Sequence, residues 1–527
     1  MTPSTDTAAA VFGSEDDRLE QALDVQTFNR ASVYDVPGYK PVFDELRHVH
    51  ASVSGRLPAD LRGVYIRNGA NPQFPVERSR LHPFNGPAML HQVEIQDDHV
   101  SYSNCYVRTP RYAIEAGLGR EAYPAFSDHA GGGKPGLARM QWIEGKKQKG
   151  LLPNLSALEL STASTSIQCH EGKLYCLNET AYPFALKAVR ENGLLVLDGS
   201  SHLETWDGRL QSPFSAHPRI DPDTGTFYSV SIDRAKGGIH YSRLAHGQLM
   251  DHRLIHQQDM QAGTMAFLHD YIVTDRFLVF ADTSLRNQRE RILGASGSPY
   301  HFDHDYKLRW GVLPRDPADG DVVRWFETAQ AGFIWHMING WEETSDDHST
   351  RIVLYAPMFD DYPSDIPVHS PREPHAKLHK WVLDLDTGKV VIDEELLTHP
   401  YERPSINVAL SGRRSRYTYL LDEGGGYMGR GVLKYDLLEQ SAGAYLSYGD
   451  AVGGEALFVP RADALEEDDG YLIDLLMKDD SADLVVIDAK TMKELARIHL
   501  PRRVPFGVHS CWLDAAQVDA LVADDAA

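Results

Sequence analysis

Cysteine is scarce in this chain, positive charge is outnumbered and long apolar runs are missing, and each shortage removes a class of protein. The four cysteines among 527 residues, Cys105, Cys169, Cys176 and Cys511, form no CxxC pair and no zinc-finger spacing. A disulfide scaffold or a cysteine-built zinc module is therefore not expected, and the thiols read as reduced interior residues. Lysine and arginine number 52 against 75 aspartates and glutamates, a net charge of −23. No broad basic face is left to meet phosphate, which argues against a nucleic-acid partner and leaves solubility as the use of the charge. No segment reaches the ~18 uninterrupted apolar residues of a membrane-spanning helix. Residues 1–18, MTPSTDTAAAVFGSEDDR, have no apolar centre and carry acids where a targeting peptide carries bases. The expected location is the cytoplasm, with residues 1–18 and 514–527 as loosely ordered tails.

What the chain does have is turn chemistry. With 42 glycines and 29 prolines, 42% hydrophobic and 24% charged residues, it suits many short strands better than a helical bundle. From Val64 onward, β-branched and aromatic runs such as Lys173–Leu177, Phe227–Ser231 and Tyr271–Phe280 alternate with turn residues. An apolar strand closed by an aspartate recurs at Asp384, Asp436 and Asp488, two intervals of 52 residues. A repeat of that length built from antiparallel strands marks propeller blades, with a pair of β-sandwiches as the open alternative. Either way residues 19–513 read as one repetitive all-β domain.

Two stretches break the pattern. Lys134 to Leu160 holds Leu137, Met140, Trp142, Ile143, Leu151, Leu152 and Leu155 around the basic knot Lys146-Lys147-Gln148-Lys149. It reads as a helical cap with solvated lysines, or as an apolar lip giving peripheral membrane contact. Tyr355 to Pro374 reads as a lid or a plain surface loop.

Histidine is plentiful, 24 in all, and a lone histidine is more often a satisfied surface or core imidazole than a ligand. Four of them end apolar or aromatic runs that read as strands, in Ala216-His217-Pro218, Leu268-His269-Asp270, Trp335-His336-Met337-Ile338-Asn339 and Gly507-Val508-His509-Ser510. Four further phrases accompany them: Arg67-Asn68-Gly69-Ala70-Asn71-Pro72, Asn178-Glu179-Thr180, Glu402-Arg403-Pro404-Ser405-Ile406-Asn407 and Gly454-Glu455-Ala456-Leu457-Phe458-Val459. From about Arg62 to Leu513 the chain thereby resembles the carotenoid cleavage oxygenase family.

The resemblance implies a seven-bladed β-propeller with a helical or loop cap over one mouth of an axial tunnel. It implies one Fe2+ held by His217, His269, His336 and His509, with Glu179, Glu402 and Glu455 accepting from the imidazoles of His269, His336 and His509 and no carboxylate on His217. The implied reaction is oxidative cleavage, by O2, of a C=C bond of a carotenoid or apocarotenoid to two carbonyl products.

The chemistry of such a donor set is coherent. Inner strands of different blades converge on one axis, so ligands 52, 67 and 173 residues apart can meet. Neutral imidazoles suit Fe(II), copper or zinc, and a carboxylate on the outer ring nitrogen fixes the tautomer. Four protein ligands leave two positions of an octahedron open, which zinc's preferred tetrahedron would not. The protein's share is to hold one double bond of a rigid conjugated substrate over the metal. Cys511, two residues past His509 and on the same face if both lie in a strand, is an alternative thiolate ligand. His375 and His379 form an adventitious pair if that segment is helical.

The chain departs from the family in two places. The usual HxFDGDGM phrase reads His82-Pro83-Phe84-Asn85-Gly86-Pro87-Ala88-Met89, without its acids. Relatives that cleave hydroxystilbenes grip the phenol with a lysine and a tyrosine; the matching positions here are Asn178 and Phe126. That favours a polyene over a stilbene or phenylpropene, the alternative substrates. The family's isomerohydrolase chemistry and an inactive binding platform are the remaining alternatives, and a platform has no need of three buried carboxylates.

Overall fold

The computed structural model describes residues 38–75, 83–97, 99–129, 133–258, 265–288, 290–291, 299–346, 348–362, 375–424 and 428–524. Among them the strands form seven antiparallel sheets of four or five strands and one small three-stranded sheet. The chain is all-β, as its composition and strand pattern led one to expect. Four of the sheets are built from four consecutive strands, such as Asn339–Thr344, Thr350–Met358, Lys377–Asp384 and Lys389–Leu397.

The two ends of the described chain are tied in by hydrogen bonds. Ser510–Asp514 pairs with Gly63–Ala70 in the first sheet, and Ser52–Gly55 pairs with Lys493–His499 in the last. The 52-residue aspartates occupy equivalent places. Asp384, Asp436 and Asp488 each end the third strand of a four-strand run, and each Oδ1 accepts backbone N–H groups of the turn that follows, from Thr387 at 2.8 Å, Glu439 at 3.0 Å and Thr491 at 2.7 Å. The repeat is an Asx turn that starts the outermost strand.

Three expectations need correction. The C-terminal tail, expected as a chain end to be loosely ordered, forms a helix over Ala515–Asp524. Val518 and Leu521 are buried in the cluster that holds Val64, Ile66 and Leu513, and Arg190 bonds Asp519 at 2.5 Å. Burial of that small apolar stripe outweighs the exposed acids. Tyr355 to Met358 belongs to the strand Thr350–Met358 and is not loop, while residues 363–374 and 1–37 lie outside the described residues. The His375 and His379 pair is not helical: His379 lies in the strand Lys377–Asp384, stacked on Trp381, so the two rings do not share a helix face.

Helices Pro110–Leu118, Phe126–His129 and Gly133–Gln148 interrupt the strands. Thr109 caps the first, its side chain accepting from Tyr112 N–H. The third ends at Gln148, well short of Leu160, and Trp142, Ile143, Leu152 and Leu155 pack on Ala122 and Tyr123. Lys146, expected to be solvated, is buried with its ammonium 4.8 Å from the centre of the Trp142 ring. Leu151 stays 40% exposed.

Candidate metal centre

Each of the seven larger sheets sends one residue to a common centre. His217 lies two residues before the edge strand Arg219–Ile220, His269 two before Tyr271–Val273, His336 three before Asn339–Thr344, and His509 one before Ser510–Asp514. Glu179 follows Lys173–Leu177, Glu402 lies in the edge strand Tyr401–Ser405, and Glu455 precedes Leu457–Pro460. The histidines therefore stand at the start of strands, not at the end as the apolar runs suggested. The run Phe333–Ile338 is largely buried and, beyond a single bridge from Phe333 to Phe359, has no strand pairing; it carries the chain in to the centre.

Local contacts fix each approach. The His217 N–H donates to Ser215 Oγ and the Ser215 N–H to Ser229 Oγ, both at 2.9 Å. Asn68 N–H donates to the His509 carbonyl at 3.0 Å, and a Cβ on Gly507 would lie 2.5 Å from the Asn68 carbonyl oxygen, so the backbone of His509 can reach this position only past a glycine. Asn339 Nδ2 donates to the carbonyls of Leu410 and Arg413, both at 2.9 Å, anchoring the strand behind His336.

The sequence did not reveal the part played by Asp270. Its carboxylate receives Arg219 Nη2 on both oxygens at 2.6 Å, the Tyr271 N–H at 2.7 Å and the Met337 N–H at 2.8 Å. One buried carboxylate thus ties together the segments that follow His217, His269 and His336. An aspartate one residue after a candidate ligand was the available signal, but its partners are 51 and 67 residues away.

The four imidazoles each offer a ring nitrogen, and these atoms all lie within 4.8 Å of one another. His217 Nε2 is 3.0 Å from His269 Nε2. The outer nitrogens are held by carboxylates: His269 Nδ1 donates to Glu179, His336 Nδ1 to Glu402 at 2.5 Å and His509 Nδ1 to Glu455 at 3.3 Å. Among the described residues no carboxylate is paired with His217. With Nδ1 carrying the proton, Nε2 of a neutral ring keeps its lone pair and points inward. His336 Nε2 and His509 Nε2 are buried with no hydrogen-bond partner. Converging orphaned lone pairs are costly unless a cation binds them, so this donor set fits a divalent metal with nitrogen preference.

Electrostatics keep two of the rings, His217 and His336, neutral. Burial, then the neighbouring imidazoles, hold His217 and His336 well below the usual histidine range. Burial pushes Glu179 up, but His269 and Arg234 together outweigh it and hold the carboxyl at about 2. Burial also raises Glu402, whose Oε1 is buried without a partner.

Other candidates are placed elsewhere. Cys511 packs with Val64, Ile66 and Leu513, where burial pushes its thiol well up, and it is not among the converging groups. Asn178 folds back on its own turn, its Oδ1 accepting from the Thr180 hydroxyl at 2.7 Å and its Nδ2 lying 3.4 Å from the Thr162 and Thr165 hydroxyls. Phe126 is 37% exposed and packs edge-on against Phe84. Asn85, in the altered HxFDGDGM phrase, accepts the Ser127 N–H and donates to its hydroxyl, so the substituted amide pins the helix that carries Phe126. Against His269 stands an aromatic wall, with Trp335 at 4.7 Å and Phe267 at 6.0 Å between ring centres, backed by Phe333.

Comparison with known proteins bears on the chain as a whole. The family model described as retinal pigment epithelial membrane protein matches residues 39–514. A carotenoid 9,10(9',10')-cleavage dioxygenase 1 of Phaseolus vulgaris is 30% identical over 491 residues, covering 88% of this chain and 86% of that one. The Arabidopsis thaliana protein of the same name is 28% identical over 504 residues, covering 91% and 89%. The lignostilbene dioxygenase of Pseudomonas brassicacearum is similar in structure, with a TM-score of 0.75 at 25% identity over 93% of this chain and 99% of that one.

Proposed function

We propose that this chain, which belongs to the family described as retinal pigment epithelial membrane protein and is an enzyme of the carotenoid oxygenase type, binds one ferrous ion through His217, His269, His336 and His509 and cleaves a C=C bond of a carotenoid or apocarotenoid. The observation that carries this reading is the convergence of four ring nitrogens, three of them on imidazoles whose outer nitrogen is held by a carboxylate. In the same reading the seven larger sheets are seven blades around one axis, each presenting one residue to it, with the three helices as a cap.

Bound iron would supply the activation of O2. Both oxygen atoms end in the two carbonyl products, so the reaction balances without a further reductant. The chain's own residues do the rest. Glu179, Glu402 and Glu455 keep the protons on Nδ1 and leave Nε2 for the metal. Trp335, Phe267 and Phe333 form a dry aromatic wall beside His269, suited to holding a planar conjugated chain by dispersion and ring contact. In the same reading Phe126 and Asn178 contact the substrate, Phe126 through apolar surface. Exposed Leu151 and Phe126 lie on the cap segments and support peripheral membrane contact there.

The likeness to a lignostilbene dioxygenase favours cleavage of a stilbene or phenylpropene double bond as the second reading. Incubating iron-loaded protein under air with carotenoids, apocarotenals and stilbenes, with products identified by mass, separates the two. Paired aldehydes from a polyene support the first reading. Aldehydes from stilbenes alone support the second, and no product from any alkene under iron and O2 contradicts both.

A further inference from the structure

Glu179 has two carboxylate oxygens and uses both. Oε2 accepts from His269 Nδ1, and Oε1 accepts from Arg234 Nη2 at 2.6 Å. Arg234 follows the strand Phe227–Asp233, and Asp233 accepts the Ala235 N–H at 2.8 Å, which fixes the turn that carries the arginine. The other terminal nitrogen, Nη1, donates to the Tyr300 hydroxyl at 3.0 Å, and the guanidinium carbon lies 4.6 Å from the centre of the Phe267 ring. Phe267 in turn meets Tyr300 edge-on at 5.5 Å and stacks on His269 at 6.0 Å. The guanidinium is therefore held by a carboxylate, a phenol and an aromatic face, and its side chain is 23% exposed.

This arrangement differs from that of Glu402, whose Oε1 is buried with no hydrogen-bond partner. A carboxylate held at one oxygen can swing about its Cγ–Cδ bond, and one held at both by near-rigid groups cannot. Lysine would not substitute, since a point ammonium cannot span the carboxylate and the phenol as the planar fork does.

We propose that Arg234 is a positioning residue of the metal centre: by locking Glu179 it sets the orientation and tautomer of His269, and Tyr300 keeps Arg234 in place. The inference rests on the four-histidine reading above. It makes metal affinity, measured without substrate, depend on a residue that touches no ligand.

The test is titration of the full-length chain with Co(II), read by visible ligand-field absorption, for the wild type, Arg234→Met, Tyr300→Phe, Glu179→Gln and the Glu179→Gln/Arg234→Met double variant, with circular dichroism as a control for folding. Wild type should bind one equivalent. Glu179→Gln should weaken binding by ~10–100-fold, the range for losing a partner of a metal-bound imidazole, Arg234→Met by less but by more than ~3-fold, and Tyr300→Phe by less again. On the Glu179→Gln background the Met substitution should change affinity by no more than ~2-fold, because its route to the metal is already cut. If Arg234→Met does not fold, Arg234→Lys enters the same cycle under the same criterion. Wild-type affinity in Arg234→Met, or an equal loss with and without Glu179, would overturn the inference while leaving the four-histidine reading intact. A wild type that binds no stoichiometric Co(II) would overturn both.

Discussion

His217 Nε2 lies 3.0 Å from His269 Nε2, although the two residues are 52 apart in sequence and enter from different sheets. Two nitrogens each ~2.1 Å from one metal are ~3.0 Å apart on neighbouring corners of an octahedron and ~3.4 Å apart on corners of a tetrahedron. The observed separation is therefore short enough for the two rings to share one ion.

The three carboxylates should not be equal. Glu402 sits 2.5 Å from His336 Nδ1, whereas Glu455 sits 3.3 Å from His509 Nδ1. Replacement of each by Gln should weaken iron retention or turnover by up to ~10–100-fold, with Glu455→Gln, at the longest of the three contacts, the least damaging. Iron content after gel filtration and kcat on an apocarotenal check this; Glu455→Gln as the most damaging would show that these distances do not govern the centre.

Asp270→Asn should loosen three ligand-bearing segments at once. A fully buried pair that loses one partner costs ~3–5 kcal/mol; Arg219 is 21% exposed, which places the loss here at ~2–3 kcal/mol. A lowered Tm together with lowered iron content is expected. A stable variant with one full equivalent of iron would mean that the knot around Asp270 does not support the site.

Membrane contact, if it resides in the cap, depends on Leu151 and not on Trp142. Trp142 packs beside Ile143 on Ala122 and Tyr123, so Trp142→Asp should lower Tm. Leu151→Asp, at a 40% exposed position, should preserve Tm and reduce sedimentation with neutral-lipid vesicles. Burying one large apolar side chain gives ~1.5–3 kcal/mol, an effect on partitioning of roughly tenfold or more. Unchanged sedimentation would leave the segment as a cap alone.

Polyenes should outcompete 4-hydroxystilbenes. Asn178 is engaged with Thr180 and Phe126 is apolar, so neither matched position offers a charged or hydroxyl partner to a phenol. Tyr123 is no substitute, being fully buried with its hydroxyl donated to the Pro153 carbonyl at 3.0 Å. The check is kcat/KM for an apocarotenal against a 4-hydroxystilbene, with Asn178→Lys plus Phe126→Tyr as the companion variant, which should move preference toward the stilbene. A wild-type preference for the stilbene of tenfold, about 1.4 kcal/mol, would contradict the polyene reading.

Much of the site was legible because its histidines stand in short phrases with fixed neighbours, and the 52-residue aspartates announced the repeat. The glutamates were legible only through the family resemblance, since Asn178-Glu179-Thr180 is unremarkable as a sequence. Arg234 was not legible, and Asp270 only as the residue after His269: each acts through partners more than 50 residues away, and no local pattern encodes such a contact. The strand boundaries around the histidines were misplaced because a buried apolar run such as Phe333–Ile338 has the composition of a strand without its pairing. The helix Ala515–Asp524 was missed because it lies at the chain end, although Val518, Leu521 and Val522 carry the helical spacing.

The most direct measurement is anomalous scattering at the iron edge from a crystal of the iron-loaded protein. One strong peak per chain, bonded to Nε2 of His217, His269, His336 and His509 with Glu179, Glu402 and Glu455 touching only the imidazoles, is the expected result. A peak bonded to any of the three carboxylates, or none within the histidine cluster, would contradict the four-histidine centre.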